Sequence, residues 1–147
     1  MNATLRQPAP AAHGLHAAPR VDAACMASLM AAVQKYLDMM YDCDTSRFDD
    51  VFHATAQLHG YRDGKMLCWP NRTYRDILDK RTSPKSVNAP REDEILLVDF
   101  ASTTQAMVKV KVRIIERVFI DHLTWHRIDG RWLITSKGYH IESGDGQ

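Results

Sequence analysis

The most regular pattern of apolar positions begins after Val21. Apolar side chains recur there at spacings of three and four residues, which is the period of one face of an α-helix. Those positions are Met26, Leu29, Met30, Val33, Leu37 and Met40. Asp22 precedes them and can accept a hydrogen bond as the helix N-cap. The pattern predicts a long amphipathic helix that starts near Val21.

Two shorter helices and a hairpin are predicted next. The helices are expected over residues 46–52 and 72–80, each with apolar residues on one face. Between them, an alternating stretch over residues 55–61 leads into Arg62-Asp63-Gly64, a turn sequence typical of a β-hairpin. Asp44 and Thr45 offer N-caps for the first of these helices, and Asn71 for the second.

The last third of the chain has the alternation and composition of β-strands. Four strands are predicted over residues 94–101, 106–118, 119–128 and 132–141. Short turns join them, so they should lie side by side as an antiparallel meander. In the second strand valines alternate with Lys109, Lys111 and Arg113, which indicates one buried and one solvated face. Helices first and strands last is the order of an α+β domain.

Length and charge are those of one globular domain. The 147 residues include 19 Lys and Arg against 18 Asp and Glu, with both signs scattered along the chain, so no surface for nucleic acid is expected. No apolar run approaches the ~20 residues that a membrane helix needs. We expect a flexible tail over residues 1–20, a single domain over residues 21–142 and a short tail over residues 143–147.

Cysteines and histidines show no pattern typical of metal binding. Cys25, Cys43 and Cys68 are odd in number and lack CxxC or Cys/His spacing, which indicates reduced thiols and a cytoplasmic setting. His122 and His126 are four residues apart on one strand, roughly 13 Å along it, and are therefore too distant to share one metal ion. The sequence predicts neither a metal site nor a cofactor.

Three segments carry a family resemblance. They read YLDMMYDCDTSRFDDVF over residues 36–52, FHATAQLHG over residues 52–60 and FIDHLTWHRIDGRWLITSKGYHIE over residues 119–142. Together they resemble the nuclear transport factor 2-like superfamily, and within it the SnoaL-like subgroup called putative lumazine-binding proteins. The resemblance implies a cone-shaped, cystatin-like roll of three N-terminal helices packed on a curved antiparallel sheet. It also implies a pocket at the mouth of the cone and a homodimer formed through the sheet.

Asp121 is the first candidate for chemistry. Alternation places it on the same face of its strand as Phe119, Leu123 and Trp125. A carboxylate among such large apolar groups loses hydration and can act as a general base or acid. The alternative is an ordinary strand carboxylate that accepts hydrogen bonds from the backbone or from a lysine.

Two tyrosines are candidates through a second, partial resemblance. Tyr41-Asp42 and the sequence LHGYR over residues 58–62 resemble segments of scytalone dehydratase, which implies catalytic roles for Tyr41 and Tyr61. The likeness stops at Leu123, where the dehydratase has a histidine. The predicted catalytic residues are therefore Asp121, Tyr41 and Tyr61.

The predicted pocket wall combines aromatic, apolar and polar side chains. Its members are Tyr36, Met40, Phe52, Leu58, Trp69, Tyr74, Leu123, Trp125 and His140. Both faces of the last strand carry apolar residues, so a bulge near Gly138 could turn Lys137 or His140 toward the pocket. For Lys137 solvent exposure is the favoured interpretation, because lysine is rarely buried.

Three functional classes fit these residues. The first is a protein that binds a small molecule in the cone. The second is a lyase, isomerase or cyclase that uses Asp121 and a tyrosine as acid and base. The third is an interaction module that uses the sheet surface, although no contiguous exposed aromatic set marks a peptide groove.

Overall fold

The computed structural model describes residues 20–143, apart from the side chain of Ser143. The predicted tails lie outside this range, except for their inner end residues Arg20 and Ser143. Within the range, none of the helices combines the length and the apolar character required to cross a membrane.

The long predicted helix is confirmed as α1, which runs over Ala23–Asp42. The Asp22 carboxylate accepts a hydrogen bond from the Cys25 amide at 2.8 Å and caps its first turn. Its C-cap is Cys43, whose amide still donates to the Met39 carbonyl at 2.9 Å and whose left-handed backbone then turns the chain out of the helix. The face toward the sheet is fully buried at Leu29, Val33 and Tyr36.

The prediction of three α-helices is wrong by one. The second predicted helix is a 3-10 helix over Thr45–Asp50, at whose start the Asp44 side chain accepts from the Ser46 amide. The other α-helix, α2, runs over Asn71–Lys80. Asn71 does not cap it; its side-chain amide donates to the His53 carbonyl at 2.8 Å instead. A further 3-10 turn spans Lys85–Val87.

Six strands form one curved sheet beside these helices. The strands are β1 Phe52–Arg62, β2 Lys65–Pro70, β3 Asp93–Ser102, β4 Gln105–Ile114, β5 Arg117–Ile128 and β6 Arg131–Ser143. Their order is β2-β1-β6-β5-β4-β3. The predicted meander of the last four strands is confirmed.

The sheet is mixed rather than wholly antiparallel, because β1 and β6 run parallel. After the hairpin of β1 and β2, the chain crosses over through α2 and starts β3 at the far edge. Four strands joined by hairpins then bring β6 beside β1 in the same direction. This pairing joins the two halves of the sheet under α1, and it brings side chains of β1, β5 and β6 to one inner face.

The boundary between β4 and β5 differs from the prediction. It lies at Ile115 and Glu116 rather than near residue 118. Ile115 adopts φ 59°, a left-handed conformation that a β-branched residue rarely takes. The Arg113 side chain donates to the Ile115 carbonyl at 2.8 Å and supports the turn. Without Gly or Asn at this position, the sequence contains no marker for it.

A bulge in β6 sets which of its side chains face the helices. Ile134 pairs with Trp125 of β5 and Ser136 pairs with Thr124, so Thr135 is an extra residue without a pairing partner on β5. Beyond it the inward positions shift by one, and Lys137 lies opposite the buried Leu123. The favoured prediction for Lys137 is therefore wrong: the residue is buried, with only 5% of its surface exposed. The bulge lies at Thr135 rather than near Gly138.

Candidate functional site

A cavity of about 200 Å³ lies between the helices and the inner face of the sheet. Strands β1, β2, β4, β5 and β6 and both α-helices contribute to its wall or its rim. The lining residues are Met40, Leu58, Arg62, Trp69, Tyr74, Arg81, Val112, Ile114, Arg117, Phe119, Asp121, Lys137, Tyr139 and Ile141. The wall is thus mainly aromatic and aliphatic, with a few charged groups, which is the usual composition of a small-molecule site.

A buried ion pair is the polar centre of this cavity. Asp121 and Lys137 are 2% and 5% exposed, and the Lys137 Nζ lies 3.6 Å from the Asp121 Oδ2. The Tyr36 hydroxyl donates to the same carboxylate oxygen at 2.6 Å. Alternation along β5 correctly predicts that Asp121 faces inward. The ion pair forms because this alternation turns Asp121 inward and the bulge in β6 turns Lys137 inward.

Two tyrosine rings surround the Lys137 ammonium group. Its Nζ lies 5.2 Å from the ring centre of Tyr36 and 4.9 Å from that of Tyr74, within the range of cation–π attraction. It also donates to the Tyr74 hydroxyl at 3.1 Å, and that hydroxyl donates to the Met40 sulfur at 3.4 Å. Aromatic faces, a hydroxyl and a carboxylate therefore replace much of the water that the ammonium loses on burial.

One oxygen of Asp121 lacks a hydrogen-bond partner. Its Oδ1 is buried and receives no donor from any residue that the structure describes. Buried carboxylate oxygens are normally satisfied, since an unmatched acceptor costs about 1–3 kcal/mol. Asp121 therefore keeps one unused acceptor oxygen at the wall of the cavity.

Tyr36 is held in its neutral, donating form. Burial raises the pKa of its hydroxyl well above the ordinary 10.0, and the adjacent negative charge of Asp121 raises this pKa further. The phenol consequently remains a donor to Asp121 throughout the neutral range.

A Tyr36→Phe substitution should alter the dependence of stability on alkaline pH. Because the folded pKa exceeds the unfolded one, the contribution of Tyr36 is complete below about pH 10 and is lost as pH rises through the folded value. The melting temperature of the wild type should therefore fall more steeply above pH 10 than that of the variant. At pH 7 the variant should be less stable by about 1–3 kcal/mol, because Asp121 loses a donor. Parallel curves for the two proteins from pH 8 to 11.5 would contradict this.

An aromatic wall of the cavity depends on a glycine. The Tyr139 ring stacks on Trp69 with ring centres 6.1 Å apart and meets Phe119 edge-on at the same distance. Its other side lies against Gly60 of β1, where an added Cβ atom would overlap the ring itself. Gly60 is therefore needed for this close approach of backbone and ring.

The structure brings together about half of the predicted site residues. Five of them line the cavity: Met40, Leu58, Trp69, Tyr74 and Asp121. Tyr36 does not line it but donates a hydrogen bond to Asp121. The others lie elsewhere. Residues that belong to the hydrophobic core without lining the cavity are Phe52, Leu123 and Trp125. His140 is exposed on β6 outside the cavity.

Neither tyrosine inferred from the dehydratase resemblance lines the cavity. Tyr61 is 70% exposed near the end of β1, because alternation turns Leu58 and Gly60 inward and Tyr61 outward. Tyr41 is half-buried, donates to the Ala89 carbonyl at 3.2 Å and lies under the guanidinium of Arg91. Those contacts occupy its hydroxyl and one ring face in a structural role.

Sequence reasoning missed several residues of the site. Tyr139 could have been found as an inward residue of β6 once the bulge was located. Arg62, Arg81 and Arg117 lie at the end of β1, just after α2 and at the start of β5, respectively. Positions at the ends of elements carry no periodic signal, so only the folded chain shows that they meet at one cavity.

Side chains suited to metal coordination do not cluster in the described part of the chain. Residues 20–143 contain no group of three or more His, Cys, Asp or Glu side chains placed to hold one ion. All three cysteines, Cys25, Cys43 and Cys68, are free thiols.

Comparisons with known proteins agree with this fold. A family model described as putative lumazine-binding matches residues 24–140. Two solved structures are similar. One is an NTF-2 like protein of unknown function from Silicibacter pomeroyi, with TM-score 0.74 and 23% identity; the match covers 84% of this chain and 100% of that one. The other is an NTF2-like protein of unknown function from Shewanella baltica, with TM-score 0.75 and 20% identity; the match covers 86% of this chain and 100% of that one. At these identities the likeness concerns the fold, which is nuclear transport factor 2-like.

One curated relative has a named activity. The aldolase FrzH of a Cladobotryum species is 27% identical over 115 residues, which are 77% of this chain and 88% of the relative.

Proposed function

This chain belongs to the putative lumazine-binding family within the nuclear transport factor 2-like fold, and on that premise we propose that it binds a small organic molecule in the cavity of the cone. The observation that carries the proposal is the buried Asp121–Lys137 pair in a mainly apolar wall. Apolar walls supply affinity, and a few converging polar groups orient the ligand.

The position of the Tyr139 ring offers a test of binding. A Gly60→Ala substitution should push the Tyr139 ring off β1 and into the cavity, because the new methyl group takes the place of the ring. We expect affinity for cavity ligands to fall at least tenfold. Gly138→Ala is the matched control: it adds the same methyl group on neighbouring β6, where nothing lies within 4 Å.

The assay starts from a thermal-shift screen of lumazine and of carbonyl, epoxide and heteroaromatic compounds. A ligand at about a hundred times its dissociation constant stabilises a protein by roughly 2.7 kcal/mol, so true ligands are readily detected. Calorimetric titration then compares the wild type with both glycine variants. Equal affinity of all three proteins for every ligand would show that binding does not involve this cavity.

A second candidate function is acid–base catalysis on a carbonyl compound. Two features favour it: the unmatched Oδ1 of Asp121 could accept a proton, and the Lys137 ammonium with the Tyr74 hydroxyl could stabilise the oxyanion that develops on the substrate. Removal of a proton next to a carbonyl is a step common to lyases, isomerases and aldolases. The name of the aldolase relative fits this chemistry.

Self-association through the sheet and a cytoplasmic location stay predictions. Ile115, Val118 and Ile120 are half-buried in the single chain, on the turn and the outer side of β5. We propose that a second copy covers this apolar set. Light scattering coupled to size-exclusion chromatography measures the molar mass directly.

A further inference from the structure

The mouth of the cavity is strongly cationic. Arg62, Arg81 and Arg117 all line it, and Lys137 lies deeper. The lining contains one carboxylate, Asp121, which is already paired with Lys137. Arginines from three separate parts of the chain therefore line one opening whose lining lacks a matching set of acids.

Two arginines of this opening lack a close acidic partner, unlike several others in the described chain. A carboxylate of the described residues lies within 4.0 Å of Arg47, Arg75, Arg91, Arg113 and Arg131, but not of Arg20, Arg72 or Arg127. Arg81 and Arg117 are half-buried, yet neither has a salt-bridge partner among residues 20–143. Arg62 reaches only Asp63 at 3.7 Å, and that carboxylate is 89% exposed.

The positive charge of the mouth also acts inside the cavity. Burial and Asp121 raise the pKa of Tyr36, whereas the positive charge of Arg81 acts on the same hydroxyl in the opposite direction. Like charges that converge on a partly dehydrated site repel each other, and an anion that enters the site relieves this repulsion. Guanidinium groups suit carboxylate and phosphate in particular, because their planar fork can donate two parallel hydrogen bonds.

We propose that the ligand of this cavity carries an anionic group, a carboxylate or a phosphate, which Arg81 and Arg117 bind at the mouth while its neutral portion extends toward Lys137 and Asp121. The inference rests on the proposed binding function and adds a substrate class to it: small oxo acids or organic phosphates. Arg62 contributes a third, more solvated charge.

The test uses the purified chain and four probes: pyruvate, its neutral methyl ester, inorganic phosphate and benzoate. Two-dimensional NMR titration locates each probe and gives its dissociation constant. We expect the anions to shift resonances of cavity residues and to bind at least tenfold more tightly than methyl pyruvate. Added salt should weaken the binding of the anions but not that of methyl pyruvate. Tighter binding of the carboxylates or of phosphate identifies which anion the mouth prefers.

Matched variants assign the effect to the mouth. Arg81→Gln and Arg117→Gln should each weaken anion binding about tenfold, which is about 1.4 kcal/mol, since a charge-assisted hydrogen bond is lost. Arg117→Lys should fall between the wild type and Arg117→Gln, because it keeps the charge but not the fork. Arg72→Gln is the control: it removes the same charge from an exposed position of α2 outside the cavity.

The two proposals fail in different ways. If methyl pyruvate binds in the cavity as tightly as pyruvate, and both arginine variants bind as the wild type does, the anionic ligand class is overturned while the binding function stands. Equal losses in Arg72→Gln and Arg117→Gln would likewise overturn the assignment to the mouth. If none of the probes and none of the screened compounds perturbs a cavity residue, both proposals are overturned.

Discussion

Replacing Lys137 by methionine should lower the free energy of unfolding by about 3–5 kcal/mol. Methionine has nearly the same length and preserves the packing, but it leaves the Asp121 carboxylate buried with only the Tyr36 hydroxyl as donor. An uncompensated buried charge is far costlier than the loss of a surface ion pair. Urea denaturation at pH 7 measures the change.

The double variant Lys137→Met/Asp121→Asn separates charge from packing. Asparagine keeps an oxygen that can accept from Tyr36, and no charge remains in the interior, so the double variant should recover much of the stability lost in Lys137→Met. Lys109→Met, on the outer face of β4, is the control and should change stability by at most about 0.5 kcal/mol. A double variant that is as unstable as the sum of its single changes would show that the two charges do not interact.

Replacing Asp121 by asparagine should reduce a proton-transfer activity by about 10²–10⁴-fold, the usual contribution of a general base. Asparagine preserves size and an acceptor for Tyr36 but cannot take up a proton. Exchange of α-hydrogen for deuterium in cavity-binding carbonyl compounds, followed by NMR in heavy water, reports this step whichever product the reaction forms.

His122→Gln is the matched control for that experiment. His122 is the next residue of β5 and is exposed on the opposite face, so its replacement should leave the exchange rate unchanged. If Asp121→Asn exchanges hydrogen as fast as the wild type, Asp121 is not the base. If ligands bind the wild type without any exchange above the uncatalysed rate, the protein is a binder rather than an acid–base enzyme.

Side-chain alternation predicts one half of the central ion pair and not the other. Along β5 the alternation from Phe119 to Trp125 is uninterrupted, so the inward position of Asp121 follows from the sequence. Along β6 the bulge at Thr135 reverses the parity before Lys137. Nothing local marks this threonine, and the low frequency of buried lysine favours the opposite assignment.

The order of elements predicts the fold better than it predicts the site. The long helix, the hairpin and the four late strands follow from periodicity and turn residues. The parallel pairing of β1 with β6 depends on where the crossover through α2 places the next strand, which is a property of the whole sheet. The site inherits this non-local origin, because Tyr139 rests on Gly60 across that pairing.

Family resemblance and local alternation disagree at Tyr61. Resemblance to scytalone dehydratase implies a catalytic role, whereas the buried positions of Leu58 and Gly60 turn Tyr61 to solvent. A motif that matches in letters can thus place a side chain outside the cavity in which it would act.

The proposed function places a small molecule in the cavity beside Asp121 and Lys137. A crystal structure of the protein grown with its tightest ligand from the screen would locate that molecule. We predict ligand density between Trp69, Tyr139 and the ion pair, with a polar ligand atom within hydrogen-bond distance of Asp121 or Lys137. Density only on the outer face of the sheet, or a cavity filled by the Tyr139 and Trp69 side chains, would contradict it.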